Sequence, residues 1–423
     1  MNEQRAIPDV EAMIADMGKR ARVAAQSLAQ TDTATKSAAL RHAATALRSA
    51  EDIILAANAE DMTRSETNGL SPAMLDRLKL DPEQVEGIAS ALEAVAELDD
   101  PVGEIIDSRT PPNGLELSRV RIPLGVVGII YESRPNVTAD AGALCLMAGN
   151  AAILRGGSEA IQSNTAIHAC MEQGLVAAGL SKDAVQLVPT TDRTAVGAML
   201  GAAGLIDIIV PRGGKGLVAR VQAEARVPVL AHLDGLCHTY IHADARPDMA
   251  RNIVVNAKLR RTGICGAMET VLIDKAFPEA AMLLGALIDG GCELRGDDAA
   301  QDLDSRVQAA SNEDWDTEYL DAIASVAIVD GMDAAIAHIT RHGSGHTDAI
   351  VTDDEAAAAH FLNSVDSAIV MHNASSQFAD GGEFGLGAEI GISTGRLHAR
   401  GPVALEGLTT YKWIARGSGT IRP

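Results

Sequence analysis

Cys265 sits inside the turn-forming run Gly263-Ile264-Cys265-Gly266, between a helical stretch, Pro247 to Lys258, and a β-rich stretch, Thr270 to Asp274. A small thiol on a loop between two rigid elements stands where chemistry is usually done. A thiolate is a strong nucleophile once neighbouring charge lowers its pKa, and Lys258, Arg260 and Arg261 supply positive charge close by in the sequence. The alternative is a thiol that merely packs, as any of the chain's five cysteines could.

Two glycine-rich loops could hold an anion. Arg155-Gly156-Gly157-Ser158 follows one apolar run, and Pro211-Arg212-Gly213-Gly214-Lys215-Gly216 follows another. Glycines beside a helix N-terminus let phosphate approach backbone N–H groups, and Arg or Lys adds charge. Neither loop is a full GxGxxG or Walker A motif, so each also fits a plain tight turn between strand and helix. Two basic loops in an acidic protein favour an anionic ligand.

Three histidines compete for attention. His338, His342 and His346 fall at i, i+4 and i+8, which on one helix would align three metal ligands. Gly343-Ser344-Gly345 predicts that the helix stops before His346, and the surroundings lack the Glu of a zinc hydrolase. No metal is expected.

The elements that must position these residues follow first from the bulk of the chain. At 423 residues it is long enough for two or three domains. Apolar residues make up 47% but aromatic ones only 2%, so the core is Ala, Val, Ile and Leu, a composition suited to buried parallel strands under Ala-rich helices. A net charge of −22 argues against nucleic acid or an anionic membrane as partner. Five widely spaced cysteines, Cys145, Cys170, Cys237, Cys265 and Cys292, make no disulfide framework. No charged leader with an apolar core opens the chain, and no apolar run approaches a membrane span. A soluble, reducing, cytoplasmic protein is expected.

Residues 9 to 98 read as helices, with Leu40, Ala43, Ala44 and Leu47 on one apolar face and Asp81-Pro82-Glu83-Gln84 as a capping box with proline at the first position. Residues 100 to 121 carry turn signals, including Pro111-Pro112-Asn113-Gly114, and predict a projecting hairpin. Short apolar runs follow at 125–131, 152–154, 185–188, 206–210 and 227–230, separated by helix-compatible stretches at 137–148, 158–179, 193–202 and 215–224. This alternation predicts a doubly wound parallel sheet, which binds ligands at the carboxyl ends of its strands. A second α/β unit follows Cys265, with strands expected at 270–273, 326–329 and 348–351 and a polar surface excursion from Asp297 to Tyr319.

With the motifs laid out, the chain resembles the aldehyde dehydrogenase superfamily, and within it the branch that reduces an acyl phosphate. The likeness covers nearly the whole length. It is carried by YESRPNVT (131–138), GNAAILRGGSEA (149–160), DIIVPRGGKGL (207–217), LDGLCHTYIHADA (233–245), NAKLRRTGICGAMET (256–270), GSGHTDAIVT (343–352) and GEFGLGAEIGISTGRLHARGP (382–402).

The resemblance implies an α/β fold in which a doubly wound parallel-sheet cofactor domain, a second α/β catalytic domain and a β-flap for oligomerisation are combined. It places the cofactor domain at 1–234 with the arm 103–121 as flap, the catalytic domain at 235–362, and a return to the cofactor domain at 363–423. It implies NADPH-dependent reduction of L-glutamate 5-phosphate to the 5-semialdehyde with release of phosphate, the second step of proline synthesis from glutamate. Cys265 matches the superfamily's catalytic cysteine. Arg155 matches the lysine that holds the adenosine ribose, and an Arg there suits a 2′-phosphate; Lys215 is a second cation for it. Gly213 and Gly214 match the loop that approaches the pyrophosphate, and Glu318 matches the glutamate at the nicotinamide ribose. A homodimer or a multiple of it is implied, with 103–121 and 399–413 at the interface, as is glutamate 5-kinase as a channelling partner.

Two departures from the superfamily pattern matter. Its general-base glutamate is replaced by His232 in His232-Leu233-Asp234-Gly235, which suits a reductase that must not hydrolyse its thioester. Its oxyanion asparagine falls in a stretch that here reads Ser133-Arg134-Pro135-Asn136, making Asn136 the candidate in an ambiguous register. Arg134 or Arg261 could bind the anionic substrate, or equally form a structural ion pair. The rival readings are a related semialdehyde dehydrogenase using water or coenzyme A, a zinc hydrolase on the three histidines, and a non-catalytic nucleotide-binding module.

Overall fold

A computed structural model describes residues 9–422. The chain forms two compact units. The first takes the described residues up to Leu230, together with Leu386–Gly391 and the stretch from Val403 onward; the second takes Ala231–Gly385 and Ile392–Pro402.

The first unit opens with five helices, Val10–Leu28, Thr33–Ser49, Glu51–Thr67, Pro72–Leu78 and Pro82–Ala96. Polar side chains start four of them: Asp9, Asp32, Ser71 and Asp81 each accept a backbone N–H of the first turn, and Gln84 completes the expected capping box with Asp81. Scarcity of aromatics lets the helices pack close. A methyl group at Gly174, on helix Ile161–Ala177, would lie 2.5 Å from the carbonyl oxygen of Ala39 and 2.6 Å from the nitrogen of Ala43, both on helix Thr33–Ser49.

These helices serve a four-stranded parallel sheet in the order Val185–Leu187, Ala151–Gly156, Val126–Tyr131, Ile208–Arg212. Every residue of Ala151–Gly156 and Val126–Tyr131 is buried, which is why 152–154 and Val126–Tyr131 read as apolar runs, and the burial extends to Arg155. The run at 227–230, expected as a strand, makes only a bridge between Ile209 and Val229. Pro228 accepts the Ile209 N–H at 2.8 Å but has no N–H of its own to extend a ladder.

The hairpin forms from Ile105–Arg109 and Glu116–Pro123, and Thr409–Arg416 adds a third antiparallel strand beside Glu116–Pro123 with Trp413 opposite Arg119. Arg109 and Arg119 lie over the Trp413 ring at 4.9 and 5.6 Å from its centroid.

The second unit is built on a seven-stranded parallel sheet ordered Gln308–Ala309, Glu293–Gly296, Ile323–Val329, Met268–Asp274, Cys237–Ile241, Thr347–Val351, Ile369–His372. Helices Pro247–Leu259 and Ala280–Asp289 cover one core of Ile, Val, Leu and Ala side chains, and Met332–His342 packs on another that holds Tyr240 and Phe361. The return of the chain falls at Leu386 and not at 363, because Ile369–His372 pairs with Thr347–Val351 as the edge of this sheet. The stretch 297–319 is less of an excursion than expected: Asp314 is buried and accepts from Arg295, Ser311 and Tyr319. No helix among the described residues is long and apolar enough to cross a membrane.

Candidate active site

Cys265 lies in the turn that joins helix Pro247–Leu259 to strand Met268–Asp274. Gln377 pins the base of this turn by donating to the carbonyls of Ala257 and Arg261, at 2.9 and 3.1 Å. The Cys237 thiol donates to the Cys265 carbonyl at 3.1 Å. Gly235 packs flat on the same residue: a methyl group there would sit 2.7 Å from the Cys265 Cα and nearer still to its carbonyl oxygen. Only glycine allows that approach.

Of the five cysteines, Cys265 alone is not buried. Burial pushes the Cys170 and Cys292 thiols up to about 11 and about 12, and raises Cys145 and Cys237 well above the ordinary range. Those four are thiols at working pH, with no route to the thiolate chemistry open to Cys265.

The surroundings of Cys265 correct one expectation. Lys258 is fully buried and its Nζ is 2.6 Å from Glu269, so its charge is spent inside the fold. Arg260 reaches Gln377 at 3.4 Å, and Arg261 is exposed in the Cys265 turn itself. Two histidines stand closer. His232, His346 and Cys265 place one ligand-type atom each within 4.8 Å of one another, and the two imidazoles meet edge to face with centroids 5.0 Å apart. Burial first, then His232, lowers His346 to about 3, so it is neutral at physiological pH.

The topology explains why they meet. His232 precedes strand Cys237–Ile241, Cys265 precedes Met268–Asp274, and His346 precedes Thr347–Val351; these are three neighbouring strands of one parallel sheet. The cluster therefore gathers at amino ends of strands, not at the carboxyl ends expected from the general α/β rule. His346 is also not on the helix of the other two histidines. Met332–His342 ends before Gly343, and His338 and His342 stay together with ring centroids 4.7 Å apart.

Glu318 joins the same neighbourhood: its Oε1 accepts the Gly235 N–H at 2.9 Å, across the residue that packs on Cys265. Next to it, Leu320 holds φ 54°, a left-handed backbone that costs a branched residue about 1–3 kcal/mol. The Leu320 N–H donates to buried Glu269 at 3.4 Å, which helps hold that conformation.

The remaining expected residues lie in the first unit, at carboxyl ends of its strands. Arg155 ends strand Ala151–Gly156, is 7% exposed, and donates to the Thr191 carbonyl at 3.1 Å while its Nε has no partner. Burial holds its guanidinium below the ordinary value, with Glu159 and Glu132 opposing and Arg193 and Arg220 adding to the effect. A buried cation with an orphaned N–H and two further arginines in electrostatic range fits a bound phosphate. Sequence reasoning missed Arg193 and Arg220, which stand in no glycine motif.

Gly213 and Gly214 are exposed ahead of helix Lys215–Glu224, and Lys215 is its exposed first residue. A carboxylate already sits there: Glu132 accepts the Gly214 N–H at 3.2 Å, and a methyl group at Gly213 would meet it at 2.5 Å. A pyrophosphate at this helix end would therefore have to displace Glu132. Arg134 and Asn136 lie in the loop leading into helix Val137–Met147. Ser133 before them holds φ 49° and is anchored by its N–H to Glu159 at 2.6 Å. The Asn136 amide donates to Asp140 at 2.8 Å, so service as an oxyanion donor would require breaking that bond.

Comparison with known proteins adds to this geometry. A profile of the aldehyde dehydrogenase family matches residues 7–284. The chain is 68% identical over 418 residues to the gamma-glutamyl phosphate reductase of Rhizorhabdus wittichii, covering 99% of this chain and 97% of that protein. It is 69% identical over 415 residues to the one from Sphingopyxis alaskensis, covering 98% and 97%. The crystal structure of gamma-glutamyl phosphate reductase from Thermotoga maritima superposes with TM-score 0.94 at 38% identity, covering 96% of this chain and 99% of that one.

Proposed function

Because the chain belongs to the aldehyde dehydrogenase family, and within it to the gamma-glutamyl phosphate reductases, we propose that it reduces L-glutamate 5-phosphate to L-glutamate 5-semialdehyde with NADPH, through a thioester on Cys265. The single observation that carries the thioester is the contrast among cysteines: four are buried, and Cys265 alone is reachable, on a loop braced by Gly235 and Gln377.

In this reading the Cys265 thiolate attacks the acyl-phosphate carbonyl, and backbone N–H groups of the 263–266 turn stabilise the oxyanion. Phosphate leaves and a thioester remains. NADPH, when bound, supplies the hydride. The Cys265 sulfur then departs as the hemithioacetal collapses to aldehyde. His232 stands in the cluster as the neighbouring base for the thiol proton, and no carboxylate occupies its place to activate water. Arg155 with Arg193 and Arg220 would hold the 2′-phosphate of NADPH, Glu318 the nicotinamide ribose, and Arg134 or Arg261 the substrate's charge.

A nicotinamide absorbance assay tests the reading. Turnover is expected with L-glutamate 5-phosphate and phosphate release, and not with an acyl-coenzyme A. Cys265→Ser should abolish it while NADPH still binds. A loss of only a few fold would overturn the assignment, since no other cysteine is exposed.

A further inference from the structure

The cluster of His232, His346 and Cys265 has the chemistry of a metal site as well as that of a nucleophile. We propose that it binds a thiophilic divalent cation of the zinc group as a two-histidine, one-thiolate site, and that occupation silences the enzyme by tying up Cys265. The inhibitory half rests on the reading of Cys265 as the nucleophile; the binding half does not.

Three observations support it. First, the three ligand-type atoms lie within 4.8 Å of one another. A tetrahedral zinc with Zn–N of about 2.0–2.1 Å and Zn–S of about 2.3 Å needs donor separations of roughly 3.3–3.6 Å, so closure asks for about an ångström of movement. Neither Cys265 nor His232 is fully buried, so side-chain rotation can supply that movement while the braced backbone of the turn stays in place.

Second, each imidazole is already oriented by an oxygen on its Nδ1. His232 Nδ1 is 2.8 Å from the Ile392 carbonyl, and His346 Nδ1 is 2.9 Å from Thr347 Oγ1. Metal-binding histidines are commonly held this way, through the ring nitrogen that does not face the metal. Third, His346 is 0% exposed and its Nε2 has no hydrogen-bond partner. An unsatisfied buried ring nitrogen is costly unless something fills its place, and a cation in the cluster would do so.

Binding is balanced by proton release. As the metal–sulfur bond forms, the Cys265 thiol proton leaves to solvent and both imidazoles bind as neutral donors. Three protein ligands leave a fourth position for water or phosphate. A cation so placed removes the sulfur lone pair that attacks the acyl phosphate, so the site is inhibitory and not a resident cofactor site.

The test is a titration of the full-length protein with Co2+, read by absorbance. A thiolate-to-cobalt charge-transfer band with tetrahedral ligand-field bands is expected at one equivalent, displaced by Zn2+ and removed by EDTA. Cys265→Ser should lose the charge-transfer band. His346→Gln and His232→Gln should each weaken Zn2+ binding by tenfold or more while circular dichroism stays native. In parallel, Zn2+ should protect Cys265 from iodoacetamide and abolish turnover, reversibly. No band in the wild-type protein, or a band that survives both histidine substitutions, overturns the site. Stoichiometric Zn2+ with undiminished turnover upholds the metal site but overturns the inhibition and, with it, the nucleophile reading of Cys265.

Discussion

Gly235 and Cys265 touch backbone to backbone: a methyl group on Gly235 would lie 2.7 Å from the Cα of Cys265. The same glycine donates its N–H to Glu318. One residue without a side chain therefore couples the Cys265 loop to the loop that carries Glu318.

Gly235→Ala is expected to push the Cys265 turn aside. Overpacking of this kind costs about 1–3 kcal/mol, and displacement of a reacting atom by about an ångström can cost on the order of a hundredfold in rate. Arg155, Arg193 and Arg220 lie in the first unit and are untouched, so the preference for NADPH over NADH should hold, while affinity for both cofactors falls together through Glu318. Steady-state kinetics with a thermal melt and cofactor titration check this. Unchanged kcat with a lowered Tm would make Gly235 structural only.

Arg155→Ala should weaken NADPH binding by about tenfold to a hundredfold, since charge-assisted hydrogen bonds are worth about 1.5–3 kcal/mol. NADH should be affected much less. Arg193→Ala and Arg220→Ala, in electrostatic range of Arg155, should shift the same ratio by smaller factors. Cofactor titrations by fluorescence measure all three. Equal losses for NADPH and NADH would show that this cluster does not read the 2′ position.

Asp140 gives a pH signature. Burial raises its carboxyl to about 6, with the Asn136 amide pulling the other way. A carboxyl raised on folding stabilises the fold fully only below its unfolded pKa, near 4, and that contribution is lost as pH rises through 6. At pH 8 the ionised, half-buried group costs up to about 3 kcal/mol. Asp140→Asn removes the charge and keeps an acceptor for Asn136. It should raise stability at pH 8 and make no difference at pH 4, as urea melts at the two pH values would record. A gain of the same size at both would assign the effect to packing.

The three-stranded antiparallel sheet leaves Ile105–Arg109 and Thr409–Arg416 as edges, and Tyr411 and Trp413 are nearly half exposed on the second. An uncovered eight-residue edge strand is a template for pairing with another chain. A homodimer or a multiple of it, joined through this sheet, is expected by light scattering at low micromolar concentration. Pro in place of Ile414 should shift the mass toward monomer. A monomeric wild type with full activity would remove the interface.

Much of this protein was legible in its sequence because the signals are local. Alternating apolar runs and capped helices, the turn around Cys265 and the end of the histidine helix at Gly343 depend on neighbours a few residues away. Isolated runs are the weak point: 227–230 reads as a strand, but Pro228 cannot extend a ladder, and Cys237–Ile241 is not among the expected strands although it lies inside the second sheet with a parallel neighbour on each side. What only the tertiary structure decided is which distant residues meet. Strand order set Met268–Asp274, Cys237–Ile241 and Thr347–Val351 side by side, and so brought Cys265, His232 and His346 together. Burial likewise gave Lys258 to Glu269 and left Cys265 as the reachable thiol. Pairing order and burial are properties of the whole packed sheet, shared among residues far apart in the chain, and no local pattern encodes them.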